Sequence, residues 1–110
     1  MAFDAIDDFW HLKGMKAELL FRYRTVFEEG YFLRVIVWKT PENVPPSTHR
    51  LKYSLFYGRP GERIVAYDNE RGKGDHRHYR SAEVPYEFTS LAKMLQDFEM
   101  DVKNERGDTQ

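Results

Sequence analysis

The run Tyr67-Asp68-Asn69-Glu70-Arg71-Gly72-Lys73-Gly74-Asp75-His76-Arg77-His78-Tyr79 gathers more reactive side chains than any other stretch of the chain. It holds two aspartates, two histidines, three cations and two tyrosines, types that a hydrophobic core does not require. If the segment is extended, His76 and His78 project to one side and Asp75, Arg77 and Tyr79 to the other. Three chemistries are open. In the first, one imidazole takes the proton of an RNA 2′-hydroxyl and the other protonates the leaving 5′ oxygen. Histidine suits both tasks because its ordinary pKa of about 6.5 lies near working pH. Lys73 and Arg77, with Arg71, would hold the phosphate and its developing charge. Tyr67 and Tyr79 would orient or stack, and Asp68 or Asp75 would orient an imidazole. Asp68 and Asn69 would also close a strand and brace the loop. No cofactor is needed. In the second chemistry, His-x-His with a nearby Asp holds zinc or manganese, although the motif is weak alone and the neighbouring cations oppose a divalent ion. In the third, the run is a solvated loop that binds phosphate passively. The first is the expectation, with no residue expected to ligate a metal.

A second group of residues points the same way. Opposite the apolar positions of the strands stand Arg22 and Arg24, then Arg34, then Arg50 and Lys52, with only Glu18 against them in sign. A face biased to arginine and flanked by aromatic rings attracts phosphates and stacks bases. Net charge is −1 because acids crowd both ends, so the chain is no general polyanion binder, yet its middle is basic. Gly72-Lys73-Gly74 lacks the longer glycine loop and the Ser or Thr of a Walker motif. His49, between a proline loop and a strand, reads as structural, and His11 receives no role.

These side chains need a frame, and 110 residues supply one domain. With no cysteine there is no disulfide, as in a reducing compartment. No apolar run approaches the about 20 residues of a membrane span, and the acidic start is unlike a signal peptide, so a cytoplasmic location is expected. Residues 3–12 pattern as a short amphipathic helix ending near Gly14, which sets residues 1–14 apart as an appendage to a single domain at 15–110. With Phe3, Phe9 and Trp10 on its apolar face, that helix is a candidate homodimer contact.

Alternation predicts four strands. In the first, Ala17, Leu19, Phe21, Tyr23 and Phe27 share a face. The others span 31–39, 50–57 and 62–68, with Gly58-Arg59-Pro60-Gly61 as a turn. Leu91, Met94, Leu95, Phe98 and Val102 recur at helical spacing behind a Thr89 or Ser90 cap, with a tail that frays after Lys103. The fold class is α+β: a four-stranded antiparallel meander, a C-terminal helix packed on one face and a short N-terminal helix.

From Lys16 to about Val102 the chain resembles the TumE-like toxins of bacterial toxin–antitoxin modules. The resemblance rests on Lys16-Ala17-Glu18-Leu19-Leu20-Phe21, on Tyr53-Ser54-Leu55-Phe56-Tyr57-Gly58, and above all on Tyr67-Asp68-Asn69 followed by Asp75-His76-Arg77-His78-Tyr79. Better-known members carry two histidine blocks around a proline-containing spacer; here the spacer is Glu70-Arg71-Gly72-Lys73-Gly74 and two histidines remain. The resemblance implies a small α+β protein, growth inhibition by the free toxin, and a neighbouring antitoxin, usually a helix-turn-helix protein. By analogy with small toxins generally it implies action on RNA. The expectation is therefore a toxin that cleaves RNA by metal-independent histidine acid–base chemistry. The alternative is a non-catalytic module binding nucleic acid, phosphate or a partner.

Overall fold

The computed structural model describes residues 16–70 and 72–107. The expected N-terminal helix, its dimer contact, the appendage at 1–14 and Arg71 lie outside the described residues.

Six strands form one antiparallel sheet: β1 (Glu18–Val26), β2 (Phe32–Lys39), β3 (Leu51–Arg59), β4 (Glu62–Asp68), β5 (His76–Tyr79) and β6 (Ala82–Pro85). Their spatial order is their chain order, a meander closed by helix α1 (Leu91–Arg106). The expectation of four strands was two short. The missing pair, β5 and β6, is cut from the polar run and the residues after it. Neither strand shows an apolar alternation: β5 reads His-Arg-His-Tyr, and all of β6 is exposed. The turn between them also lacks glycine, because Arg80 itself takes the left-handed conformation at φ 55°.

The β3–β4 turn is legible in residue types. Gly61 supplies φ 81°, and at the adjoining bulge a Cβ on Gly58 would stand 2.1 Å from the Glu62 carbonyl oxygen. A second irregularity, in β1, overturns part of the expected alternation. The register slips between Leu19 and Phe21, so Leu19 pairs with Trp38 and Phe21 with Val37, and Leu19 changes face.

One face of the sheet is closed by α1. Val35, Val37, Tyr53, Leu55, Tyr57, Val65 and Tyr67 pack there against Met94, Phe98 and Val102. Burying such apolar area, at about 25 cal/mol per Å², drives the docking. Ser90 caps α1, its Oγ accepting from the Lys93 backbone N–H at 3.0 Å. The helix continues to Arg106 instead of fraying after Lys103, because Gly107 at φ 83° closes it and Lys103 and Arg106 complement its C-terminal dipole. Phe21 and Tyr23 on β1 remain about half-exposed beside the helix. The sheet's other face carries no helix among the described residues, and the polar run opens onto it.

Candidate active site

Strand register assembles the site. Asp68 on β4 lies directly opposite His76 on β5, Ala66 lies opposite His78, and His78 lies opposite Glu83 on β6. Directly paired residues share a sheet face, and so do residues two apart on one strand. Asp68, His76, His78 and Glu83 therefore converge on the open face, with only the methyl of Ala66 among them.

Both imidazoles are buried, each 7% exposed, with ring centres 4.9 Å apart. His76 Nδ1 donates to the Gly74 carbonyl at 2.9 Å. A carbonyl only accepts, so this bond fixes the tautomer and turns Nε2 toward Asp68. Nε2 stands 2.6 Å from Asp68 Oδ1 and 3.4 Å from Glu83 Oε2. Although the first distance is that of an ion pair, Asp68 Oδ1 is buried without an aligned hydrogen bond. His78 Nε2 lies 3.7 Å from Glu83 Oε2. Burial pushes the His78 pKa down, with the nearby Arg63 charge adding to the effect, while Asp68 and Glu83 pull the other way. One ligand atom from each of Asp68, His76 and His78 lies within 4.8 Å of the others.

The expected basic face is the same face. Arg24 pairs with Arg34, Arg22 with Ile36, Arg34 with Phe56, Trp38 with Lys52, and Ser54 with Asp68. Arg22 and Arg24 are exposed. Arg24 lies over the Phe32 ring at 5.1 Å and Arg34 over Phe56 at 5.6 Å, and those two rings stack at 5.2 Å. Burial, and then the Arg24 charge, lowers the Arg34 pKa. Lys52 departs from its expected role. It is buried, and its Nζ donates to the Asn69 carbonyl at 3.0 Å. Burial lowers its pKa, with Asp68 and Glu70 offsetting part of the shift. Arg50 stands before β3, exposed, reaching the Pro41 carbonyl at 3.4 Å.

Three other expected site residues face the opposite way. Arg77 Nε donates to Asp101 Oδ2 at 2.7 Å and to the Tyr67 hydroxyl at 3.1 Å, while Tyr67 donates to the same Asp101 oxygen at 2.6 Å. Tyr79 donates to Glu105 at 3.0 Å. The bond to Asp101 raises the Arg77 pKa, and burial followed by Asp101 raises that of Tyr67. The sheet separates all three from the histidines, and they fasten β4 and β5 to α1. Lys73 is exposed in the turn before β5. Asn69 is fully buried as a brace, accepting from the Tyr53 N–H at 3.0 Å and donating to the Leu51 carbonyl at 2.7 Å. Asp75 accepts from Ser47, Tyr53 and His49 at 2.5, 2.6 and 2.7 Å. His49 Nδ1 accepts from the Leu51 N–H at 3.1 Å, so its Nε2 is the donor to Asp75 and the residue is structural, as expected. Glu83 was missed by the sequence reading, because its place depends on a strand with no apolar alternation.

Residues 6–106 match the family model described as Toxin TumE. The chain belongs to the TumE toxin family. It is accordingly the toxin component of a toxin–antitoxin module and has an antitoxin as partner. The match begins ten residues before the resemblance read from the motifs, and so takes in much of the segment set apart as an appendage. No curated protein and no solved structure gives a significant match. Among the described residues no helix is long and apolar enough to cross a membrane.

Proposed function

We propose that this TumE-family toxin acts on RNA in the cytoplasm, holding the strand across the open sheet face and reacting with it at Asp68, His76 and His78. One observation carries the reading: the buried histidine pair and Arg22, Arg24 and Arg34 occupy a single face of one sheet, while α1 closes the other. A nucleic-acid strand needs cations for its phosphates and flat rings for its bases, and Arg22, Arg24, Phe32 and Phe56 offer both. Attack of a 2′-hydroxyl on its own phosphate needs a proton acceptor. His78 suits that task, since burial and Arg63 favour its neutral form. His76 has Nδ1 spent on Gly74, which leaves Nε2, beside Asp68, to face a leaving oxygen. The antitoxin would set acids against the same arginines.

The test is regulated expression of His76→Ala and His78→Ala. Each variant should relieve growth arrest by about 100-fold or more in colony count while keeping the wild-type circular dichroism spectrum. Arrest at full potency by both folded variants would remove the histidines from the mechanism. Purified protein with total RNA supplies the second readout, new RNA ends. RNA retained without new ends would instead make the chain a non-catalytic binding module. The burial and double engagement of His76 favour that second reading.

A further inference from the structure

We propose that Asp68, His76 and His78 form a binding site for one divalent transition-metal ion, best suited to zinc, with Glu83 completing the shell. The proposal concerns the same side chains as the RNA reading, but it does not depend on RNA being the substrate.

The donor set comes first. Two imidazole nitrogens and a carboxylate oxygen are ligands that zinc and its neighbours prefer, and a second carboxylate as fourth ligand suits a tetrahedral site. The hydrogen bond behind His76 fits a metal ligand. A metal-bound histidine characteristically donates its other ring N–H to a carbonyl or carboxylate, which fixes the tautomer and aims the ring. His76 Nδ1 makes that bond to Gly74 O at 2.9 Å, which leaves Nε2 as the ring atom available to a ligand on the open face.

One contact at the site is left unsatisfied. Asp68 Oδ1, a buried acceptor, stands 2.6 Å from that nitrogen without hydrogen-bond alignment. Whenever Nε2 carries no proton, its lone pair and that of Oδ1 repel each other. A cation bound by both would convert that repulsion into ligation.

Ligand atoms each about 2.0–2.1 Å from a tetrahedral zinc lie about 3.3 Å from one another. The Asp68, His76 and His78 donors already lie within 4.8 Å of one another. Glu83 Oε2 is 3.4 Å from Nε2 of His76 and 3.7 Å from Nε2 of His78, and its half-exposed side chain has room to move. Small rotamer adjustments on a rigid strand frame would complete the shell.

Charge is the last argument. The sequence counted Arg77 against a cation here, but Arg77 is on the other face, paired to Asp101. Asp68 and Glu83 carry the two negative charges that face a divalent ion, with Arg63 near His78 and Lys52 near Asp68 as the cations that oppose it. An ion so placed would draw negative charge from a phosphate oxygen on the open face.

The experiment uses the purified full chain, stripped with chelator and titrated with Zn²⁺ by calorimetry. One ion should bind per chain, and Zn²⁺ should raise the thermal midpoint. Asp68→Asn, His76→Gln and His78→Gln should each weaken binding at least tenfold, and Co²⁺ should give a tetrahedral visible spectrum in wild type alone. Absence of stoichiometric binding to the folded wild-type chain overturns the proposal, as does binding that survives all three substitutions. RNA assays on stripped and reloaded protein keep the two readings apart. Zinc bound without RNA cleavage upholds the site and removes the RNA reading. Cleavage by stripped protein that binds no zinc removes the metal and leaves the histidines as a bare acid–base pair.

Discussion

Asp68 and Asp75 bracket one polar run, and each meets a histidine, but they are treated in opposite ways. Asp75 is saturated: Ser47, Tyr53 and His49 all donate to its carboxylate. His49 is equally accounted for, with Nδ1 accepting from Leu51 and its ring against Phe88 at 3.9 Å. Burial alone would raise the Asp75 pKa, yet the hydrogen bonds from His49, Ser47 and Tyr53 outweigh it and hold the carboxyl below its usual range. Asp68 has no such set. Its buried Oδ1 faces His76 without an aligned bond, and His78 meets only a more distant Glu83. A buried carboxylate given every donor it can take is a joint in the architecture. One left short beside two imidazoles is held ready for something that arrives.

The widest split between the two should come from Asp75→Ala. It leaves the Tyr53 hydroxyl, His49 Nε2 and Ser47 Oγ without their acceptor. The cost should be about 3–5 kcal/mol in urea unfolding. A loss below about 1 kcal/mol would show that the Asp75 joint is ornamental and erase the contrast.

Next in size is Arg77→Ala. It removes the bond to Asp101, although Tyr67 still satisfies that carboxylate. Because the guanidinium is about one-third exposed, solvent screens the pair, and a loss of about 1–2 kcal/mol is the expected scale. Growth arrest per folded molecule should be unchanged. A variant of wild-type stability that no longer arrests growth would return Arg77 to the phosphate-holding group expected of it.

That misplacement shows where sequence reading stops. Period-two alternation correctly put His76 and His78 on one side of the segment and Arg77 and Tyr79 on the other. It could not say that a sheet lay between them, because β5 carries polar residues on both faces and resembles a loop. Its pairing follows from register with β4 and β6, and β6 gives no apolar signal. The acids that claim Arg77 and Tyr79, Asp101 and Glu105, lie on the sheet-facing side of a helix on which only the apolar positions were legible. Where apolar pattern drives folding, the sequence spoke plainly: β4 at 62–68, the Ser90 cap and the Leu91 face of α1 were all readable. Lys52 fell between these cases. Alternation placed it on the polar face, where register keeps it, but its bond to the Asn69 carbonyl buries the charge that the sequence left free.

Asp68→Asn should change stability far less than Asp75→Ala. Its Oδ1 has no aligned donor to lose, so a shift within about 1 kcal/mol in either direction is expected. Growth arrest should nevertheless fall to the level of the histidine variants. A drop in stability matching that of Asp75→Ala would make Asp68 a second joint.

The smallest effect belongs to a carboxylate outside both groups. Asp97 on α1 accepts from Lys93 and from the Tyr86 hydroxyl, the latter at 2.6 Å. Partial burial would raise its pKa, but the Lys93 and Tyr86 bonds outweigh it and leave the group lowered. A carboxyl with a depressed folded pKa stabilises the protein above its unfolded value of about 3.9, and that contribution disappears as pH falls through the folded value. The Lys precedes the acid at i,i+4, the weaker orientation on a helix, so the pair contributes only a few tenths of a kcal/mol. The thermal midpoint of Asp97→Asn should therefore lie slightly below wild type at pH 7, and the gap should close as acid takes the pH down through the lowered folded value. A gap that persists in acid would mean that Asp97 acts through shape instead of charge. It would then belong with Asp75, as a joint defined by its donors.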